Sequence, residues 1–250
     1  MAIRLRAMTC WFLAAFVIGT AAIAAPAAAQ EIAINFGDET TLASRSIQLL
    51  LLITVLSLVP GLAVMITCFP FIVTVLSILR QAIGLQQSPP NMLIISLALF
   101  LTWFVMDPVF TEAWTRGVVP LQDGQIDIES AIPLVLSPFR AFMAARLDPD
   151  TFAAMAELRP QTIATAITDA PLSLLVPSFI LSEIQRAFEI GFVIFLPFLI
   201  IDLVVAAILM SMGMMMVPPV VVSLPFKLAF FVVADGWSLI ASALVRSYVT

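Results

Sequence analysis

The chain has 250 residues, of which 62% are hydrophobic, and it carries 11 basic residues, 16 acidic residues and no histidine. Charged residues make up only 11% of the chain, against about 25% in soluble domains, which excludes an ordinary water-soluble protein. The lack of histidine excludes a Ser-His-Asp triad, a histidine-ligated zinc site and an imidazole relay, and the net charge of −5 argues against nucleic-acid binding.

The remaining motifs do not point to an enzyme. The nine glycines form neither GxGxxG nor GxxxxGK, so no phosphate-binding loop is predicted. Cys10 and Cys68 are too few for a disulfide framework. We also find no nucleophile and base pattern of the kind that an intramembrane hydrolase needs. We therefore predict no catalytic residue, cofactor or metal.

The first 29 residues have the pattern of a cleavable signal peptide. Arg4 and Arg6 precede an apolar stretch, and three alanines at 27–29 form a small-residue cleavage site. An uncleaved signal anchor is the alternative. Cleavage would place Gln30 outside the inner membrane of a bacterium, and residues 30–46 would then form a short periplasmic N-terminal segment.

Two regions, residues 47–106 and 179–250, are predicted to form apolar helices arranged as hairpins. From Ser46 to Met106 the only charged residue is Arg80, and a span takes about 20 residues. Pro60-Gly61 should kink the first helix, and Ser88-Pro89-Pro90-Asn91 and Asp107-Pro108 should end helices in the first region. The predicted helices are Ile47–Thr67, Pro70–Gly84, Met92–Met106, Ile190–Met210 and Val220–Val245.

Between these regions lies an acidic segment, residues 107–178, with nine acids, four arginines and eight prolines. We expect it to be periplasmic and mostly helical, because Ser137-Pro138 and Asp148-Pro149 each offer an N-cap followed by proline. A loosely ordered loop is the alternative. The fold class is therefore an all-α membrane protein, with four crossings that place the Arg80 loop and residues 211–219 inside.

Asp202 and Lys227 are charges within apolar helices, where a charge is costly and marks a functional candidate. Their midpoint falls within half a residue of the centre of the 211–219 link, so an antiparallel hairpin brings them to nearly the same depth. An intramembrane ion pair is predicted. It could fix the register of the hairpin, take part in an ion or proton relay, or change partner during gating.

Other charges are candidates for subunit contacts. Glu183, Arg186 and Glu189 are spaced three apart before the second hairpin, where helical neighbours can pair. They form either a solvated face or a contact with a neighbouring subunit. Arg80 is a further candidate for such a contact.

The link at 211–219 reads SMGMMMVPP and is rich in methionine. Thioether side chains are flexible and repack against different shapes, while Gly213 permits a bend and Pro218 and Pro219 stiffen the exit. Several copies around an axis could form a compliant apolar plug. Cu(I) binding and plain core filling are the alternatives. The residues assigned to the plug are Met212, Met214, Met215 and Met216.

Several long motifs make the chain resemble the FliP family, the membrane export-gate components of flagellar type III secretion systems. The motifs are SILRQAIGLQQSPPN (77–91), SEIQRAFEIGF (182–192), IFLPFLIIDLVVA (194–206), SMGMMMVPP (211–219) and LPFKLAFFVVADGW (224–237). The resemblance implies a pore-forming homo-oligomer with FliQ and FliR, near FlhB and FlhA, in the inner membrane at the flagellar basal body. The resemblance further implies that unfolded flagellar proteins pass through this helical complex.

The resemblance also implies that the methionine link is the gasket of the pore and that Asp202 and Lys227 match the family's intramembrane pair. Family members commonly carry an arginine where this chain has Phe69-Pro70-Phe71, which puts any polar contact there in doubt. The VPP and DGW motifs favour the flagellar branch over the virulence injectisome. A transporter that uses Asp202 and Lys227 is the alternative from another class, but we see no internal repeat to support it.

Overall fold

The computed structural model describes residues 42–84, 89–159, 167–214 and 216–249. The predicted signal peptide and residues 30–41 lie outside the described residues. Contacts divide the chain into two units, Met1–Leu52 and Ile53–Thr250. The described part of the first unit is the start of helix α1 (Leu42–Met65), and all later elements belong to the second.

The described residues form helices and no β-strand, as expected for an all-α protein. A π-helical turn at Trp114–Val118 and a 3₁₀ turn at Ile167–Asp169 join some of them. The helices after α1 are α2 (Phe69–Ile83), α3 (Asn91–Ala113), α4 (Val119–Gln122), α5 (Ile128–Arg146), α6 (Pro149–Glu157), α7 (Leu172–Ser211), α8 (Pro219–Val233) and α9 (Gly236–Val249).

Four helical stretches among the described residues are long and apolar enough to cross a membrane, and a bent pair makes up to five. Ser46–Met65 coincides with the first predicted apolar helix, whereas Asn91–Gln122 and Leu172–Ser211 begin or end inside the predicted acidic segment, residues 107–178. The fourth, Ile128–Arg146, lies in the acidic segment and has the lowest hydropathy of the four. Helix α2 is apolar but shorter.

Several prolines do not end helices where the sequence predicted an end. Helix α3 continues through Asp107-Pro108 to Ala113, and α5 runs through Ser137-Pro138, so neither motif is a helix boundary. Pro138 is buried on the packed face of α5. Proline removes one backbone donor, but breaking an apolar helix would leave several backbone groups without partners, so such helices tolerate it.

The second hydrophobic region also differs from its prediction at both ends. Helix α7 begins at Leu172 and runs for 40 residues, so the predicted start at Ile190 is wrong. The predicted helix Val220–Val245 is instead two helices bent by 61°. Asp235 adopts a left-handed conformation at the break (φ 48°), and the bend places Gly236 against the Phe231 ring.

The core of the second unit forms where α2 packs against α7. Phe71, Ile72, Val75 and Leu79 of α2 are fully buried there. Gly191 of α7 lies so close to Ile78 that a Cβ would approach the Ile78 side chain to 2.4 Å. Small residues let apolar helices approach closely in membranes, so Gly191 sets the separation of α2 and α7.

Candidate functional site

The methionine loop, residues 211–219, joins α7 to α8 at the tip of a hairpin. Helix α7 ends in a Schellman motif, in which Met214 N–H donates to Leu209 O and Gly213 N–H donates to Met210 O. Gly213 has a φ of 75°, which glycine adopts without strain. Pro219 then opens α8 at a position where a missing N–H costs nothing.

The described methionines of the loop point away from the rest of the chain. The exposed fractions are 63% for Met212, 44% for Met214 and 99% for Met216. Among the described residues other than its chain neighbours, none has an atom within 4 Å of the position where a Cβ would sit on Gly213. Met215 lies outside the described residues. Core filling within this chain is therefore not the role of Met212, Met214 and Met216.

Below the loop, the structure brings the two predicted intramembrane charges together. Lys227 Nζ lies 2.6 Å from Asp202 Oδ2, joining α8 to α7. The Lys227 side chain is 4% exposed and that of Asp202 is 26% exposed. Since each charge offsets the desolvation of the other only when they are paired, this geometry accounts for two charges in apolar helices.

Two further groups complete this site, and no sequence pattern pointed to either of them. The buried hydroxyl of Ser223 donates to Asp202 Oδ1 at 2.5 Å. Lys227 Nζ donates to Ala82 O at 3.1 Å, in the last turn of α2. A cation at the C-terminus of a helix is favourable because carbonyl oxygens collect there. We call this set, Ala82 O, Asp202, Ser223 and Lys227, the three-helix junction.

The hydrogen bonds of the three-helix junction join α2, α7 and α8. Asp202 accepts from Ser223 and Lys227, and Lys227 donates to two oxygens on different helices. The part of the chain that the structure describes holds no group of three or more His, Cys, Asp or Glu residues able to bind a metal. The hydrogen bonds of the junction link the two helices of the hairpin to α2, and the described methionine side chains at its tip are apolar and exposed.

The predicted subunit-contact residues do not share one environment. Arg80 is half-buried and donates to the Asn91 side-chain oxygen, which bridges the two ends of the α2–α3 connection. Glu189 is exposed and accepts from Gln185 at 3.2 Å, while Arg186 is half-buried. Subunit contacts by Arg80, Arg186 and Glu189 stay predictions.

Glu183 was predicted to lie on a solvated face or at a contact with a neighbouring subunit. The structure corrects this, because its side chain is buried within the chain. It is fully buried and accepts from Arg146 Nε at 3.1 Å and from the Tyr248 hydroxyl. The reason is helical geometry, because side chains three residues apart point in directions that differ by about 60° around the helix axis. Glu183 and Glu189 are six residues apart, so their side chains point about 120° apart around the helix. Glu183 therefore faces the core, while Glu189 faces outward.

The acidic segment contains one helix start that the sequence predicted correctly. Asp148 caps α6 by accepting from Thr151 N at 2.8 Å and from the Thr151 hydroxyl at 2.7 Å. These hydrogen bonds favour the ionised carboxylate and lower the pKa of Asp148 below its ordinary 3.8. The charge also lies at a helix N-terminus, where a negative charge is stabilising.

Comparison with known proteins covers both parts of this site. Residues 52–244 match the FliP family model. The flagellar biosynthetic protein FliP of Caulobacter vibrioides is 49% identical over 225 residues, covering 90% of this chain and 85% of the relative. The protein of the same name from Rhizobium meliloti is 43% identical over 241 residues, covering 94% and 98%. That of Bacillus subtilis is 45% identical over 205 residues, covering 82% and 93%.

Proposed function

This chain belongs to the FliP family, and we propose that its methionine loop seals the pore through which unfolded flagellar proteins leave the cytoplasm. It is a membrane protein of the flagellar export apparatus, located in the inner membrane. Its relatives carry a flagellar name, and the proposal therefore concerns the flagellar export gate and not a virulence injectisome.

The observation that carries the proposal is an exposed apolar loop on a fixed base. The side chains of Met212, Met214 and Met216 are exposed at the hairpin tip, whereas Asp202 and Lys227 are paired nearer the base of the hairpin. Exposed thioethers that meet around an axis can exclude hydrated ions. Because methionine has three rotatable bonds, the same side chains can yield to a passing polypeptide.

The role proposed for the Asp202–Lys227 pair is to hold the loop at a fixed depth. Lys227 also binds the end of α2 through Ala82 O, so the hairpin cannot slide along α2 without losing a buried hydrogen bond. A buried donor or acceptor without a partner is costly. The pair therefore acts as a register lock in this proposal, and gating motion is confined to the loop.

The proposed assembly is a homo-oligomer that also contains FliQ- and FliR-like subunits, with FlhB- and FlhA-like proteins nearby. The extensive exposed apolar surface of the described helices supports this assembly, because such surface suits lipid and neighbouring subunits alike. We propose that the subunit performs no catalysis and that other components supply the energy for export.

The test is to purify the full chain, expressed with its flagellar operon, in a mild detergent and to measure the mass and composition of the complex. We expect several copies of this chain together with two further small membrane proteins. A matched sample should carry alanine at Met212, Met214 and Met216, and it should give the same mass because the loop is not needed for assembly. A stable monomer without partners would overturn the gate assignment.

A further inference from the structure

The last turn of α9 is bound to two other helices by a cluster of one buried and three half-buried residues, apart from the methionine loop and the three-helix junction. Arg146, at the end of α5, donates from Nε to Glu183 Oε1 at 3.1 Å and from Nη1 to Ser247 O at 2.7 Å. The Tyr248 hydroxyl donates to the second oxygen of Glu183. We call Arg146, Glu183, Ser247 O and Tyr248 the C-terminal clamp.

Contacts to the ring of Tyr248 add to the hydrogen bonds of the clamp. The guanidinium carbon of Arg146 lies 4.0 Å from the centroid of the Tyr248 ring, in cation–π geometry. Phe142, one turn earlier on α5, stacks with the same ring at a centroid distance of 6.0 Å. Phe71 of α2 meets it edge-on at 5.5 Å. One tyrosine thus contacts residues from three helices.

The chemistry of this cluster requires arginine and not simply a positive charge. A guanidinium is planar and has donors in fixed directions, so it can bind a carboxylate, bind a carbonyl and cover an aromatic ring at once. Glu183 is fully buried, and both of its oxygens accept hydrogen bonds within the clamp. Removing Arg146 would therefore leave a buried carboxylate without its counter-charge.

A neighbouring contact holds the same part of the acidic segment. Asp148 N–H donates to Ser182 Oγ at 3.0 Å, next to Glu183 in the chain. The turn between α5 and α6 is therefore bound to α7 at two adjacent positions. Of these two contacts, the clamp through Arg146 is the one that reaches α9.

We propose that Arg146 is a positioning residue that fixes the last turn of α9 on α5 and α7 through Glu183 and Tyr248. The acidic segment and the C-terminal helix then keep one arrangement, and the end of the described chain is a fixed structural point. The proposal goes beyond the export function and does not depend on it, because the clamp lies within one chain.

The chain offers a selective probe, since Tyr248 is its only tyrosine. The full chain, purified in detergent after growth with 3-fluorotyrosine, should give one ¹⁹F resonance displaced from that of the unfolded chain by the ring and guanidinium contacts. We expect Arg146→Met to remove most of this displacement. The matched control is Arg140→Met, because Arg140 lies on the same helix but binds Thr168 O and Ala170 O; its resonance should stay in place.

A second variant keeps the test decisive if Arg146→Met does not fold. Arg146→Met combined with Glu183→Leu leaves no unpaired buried charge, so this double variant should fold and still lose the displacement. Circular dichroism and the elution volume in detergent establish folding independently of the resonance. The proposal is overturned if the folded single or double variant keeps the wild-type resonance, or if Arg140→Met shifts it equally.

Discussion

The methionine loop and the three-helix junction are neighbours on one hairpin and differ in exposure, polarity and hydrogen bonding. Asp202 lies ten residues before Met212, about 15 Å along a helix. At the junction, Lys227 and Ser223 are buried and each polar group has a partner. In the loop, Met216 is 99% exposed and Gly213 has open space around it. In our proposal the junction stays fixed while the loop changes its contacts.

The largest expected effect is at the junction. Lys227→Met removes the cation and leaves Asp202 without a counter-charge, which costs about 3–5 kcal/mol for a buried pair. We expect the yield of assembled complex in detergent to fall sharply.

The double variant Asp202→Leu/Lys227→Met should recover much of that yield, since no unpaired charge remains. The Ser223 hydroxyl then still has Val220 O within 3.2 Å. Normal assembly of Lys227→Met alone would mean that the junction does not lock the hairpin.

A smaller effect is expected where α7 packs on α2 beneath the hairpin. A methyl group at Gly191 would lie 2.4 Å from Ile78 Cδ1 and 3.3 Å from its Cβ, so Gly191→Ala should cost about 1–3 kcal/mol by overpacking. Thermal unfolding of the purified complex measures this loss. Adding Ile78→Val removes the nearest methyl and should restore part of it.

The control is Gly61→Ala in α1, where no atom lies within 4 Å of the added methyl. Alanine has the higher helix propensity, so Gly61→Ala should be neutral or slightly stabilising. Equal losses from both substitutions would contradict the close approach of α2 and α7.

In the loop, the expected cost comes from the backbone alone. Gly213 has a φ of 75°, and an alanine in this left-handed region costs about 1–2 kcal/mol. Gly213→Asn should cost less, because asparagine tolerates this conformation. Thermal unfolding again provides the measurement. A loss from Gly213→Ala as large as that from Lys227→Met would remove the contrast between loop and junction.

The smallest effect is expected in the acidic segment, away from both the methionine loop and the three-helix junction. Because the pKa of Asp148 is lowered in the fold, its capping contribution is fully present above the ordinary value near 3.8 and is lost as the pH falls through the lowered pKa. The protection of the amides in the first turn of α6, measured as their exchange rate relative to that of an unfolded chain at the same pH, should fall only in that acidic range. Thr151→Val, which keeps the backbone donor, should move the onset to higher pH, and an unchanged onset would exclude the hydroxyl as a cause.

The apolar regions, the hairpin and its ion pair could be predicted from the sequence because each depends on local pattern or symmetry. Asp202 and Lys227 are the nearest charges on either side of the 211–219 link, at nearly equal distances from its centre, and antiparallel pairing follows. Helix ends could not be predicted in the same way. Pro108 and Pro138 usually signal a boundary, but packing and the need to pair backbone groups carry α3 and α5 through them.

The polar partners at the buried sites were missed because they come from distant parts of the chain. Ala82 contributes only a backbone oxygen, which no side-chain pattern announces. Arg146 meets Glu183 across 37 positions and Ser247 across 101.

The central claim is that the methionine loop, and not the junction, seals the pore. The most direct measurement is ion leakage across vesicles that contain the assembled complex, with alanine at Met212, Met214, Met215 and Met216. Val232→Ala/Val233→Ala is the matched control, because these valines are 74% and 89% exposed outside the loop. We predict a several-fold increase in leakage for the loop variant at unchanged complex mass, and none for the control. A loop variant that assembles and stays as tight as the wild type would contradict the claim.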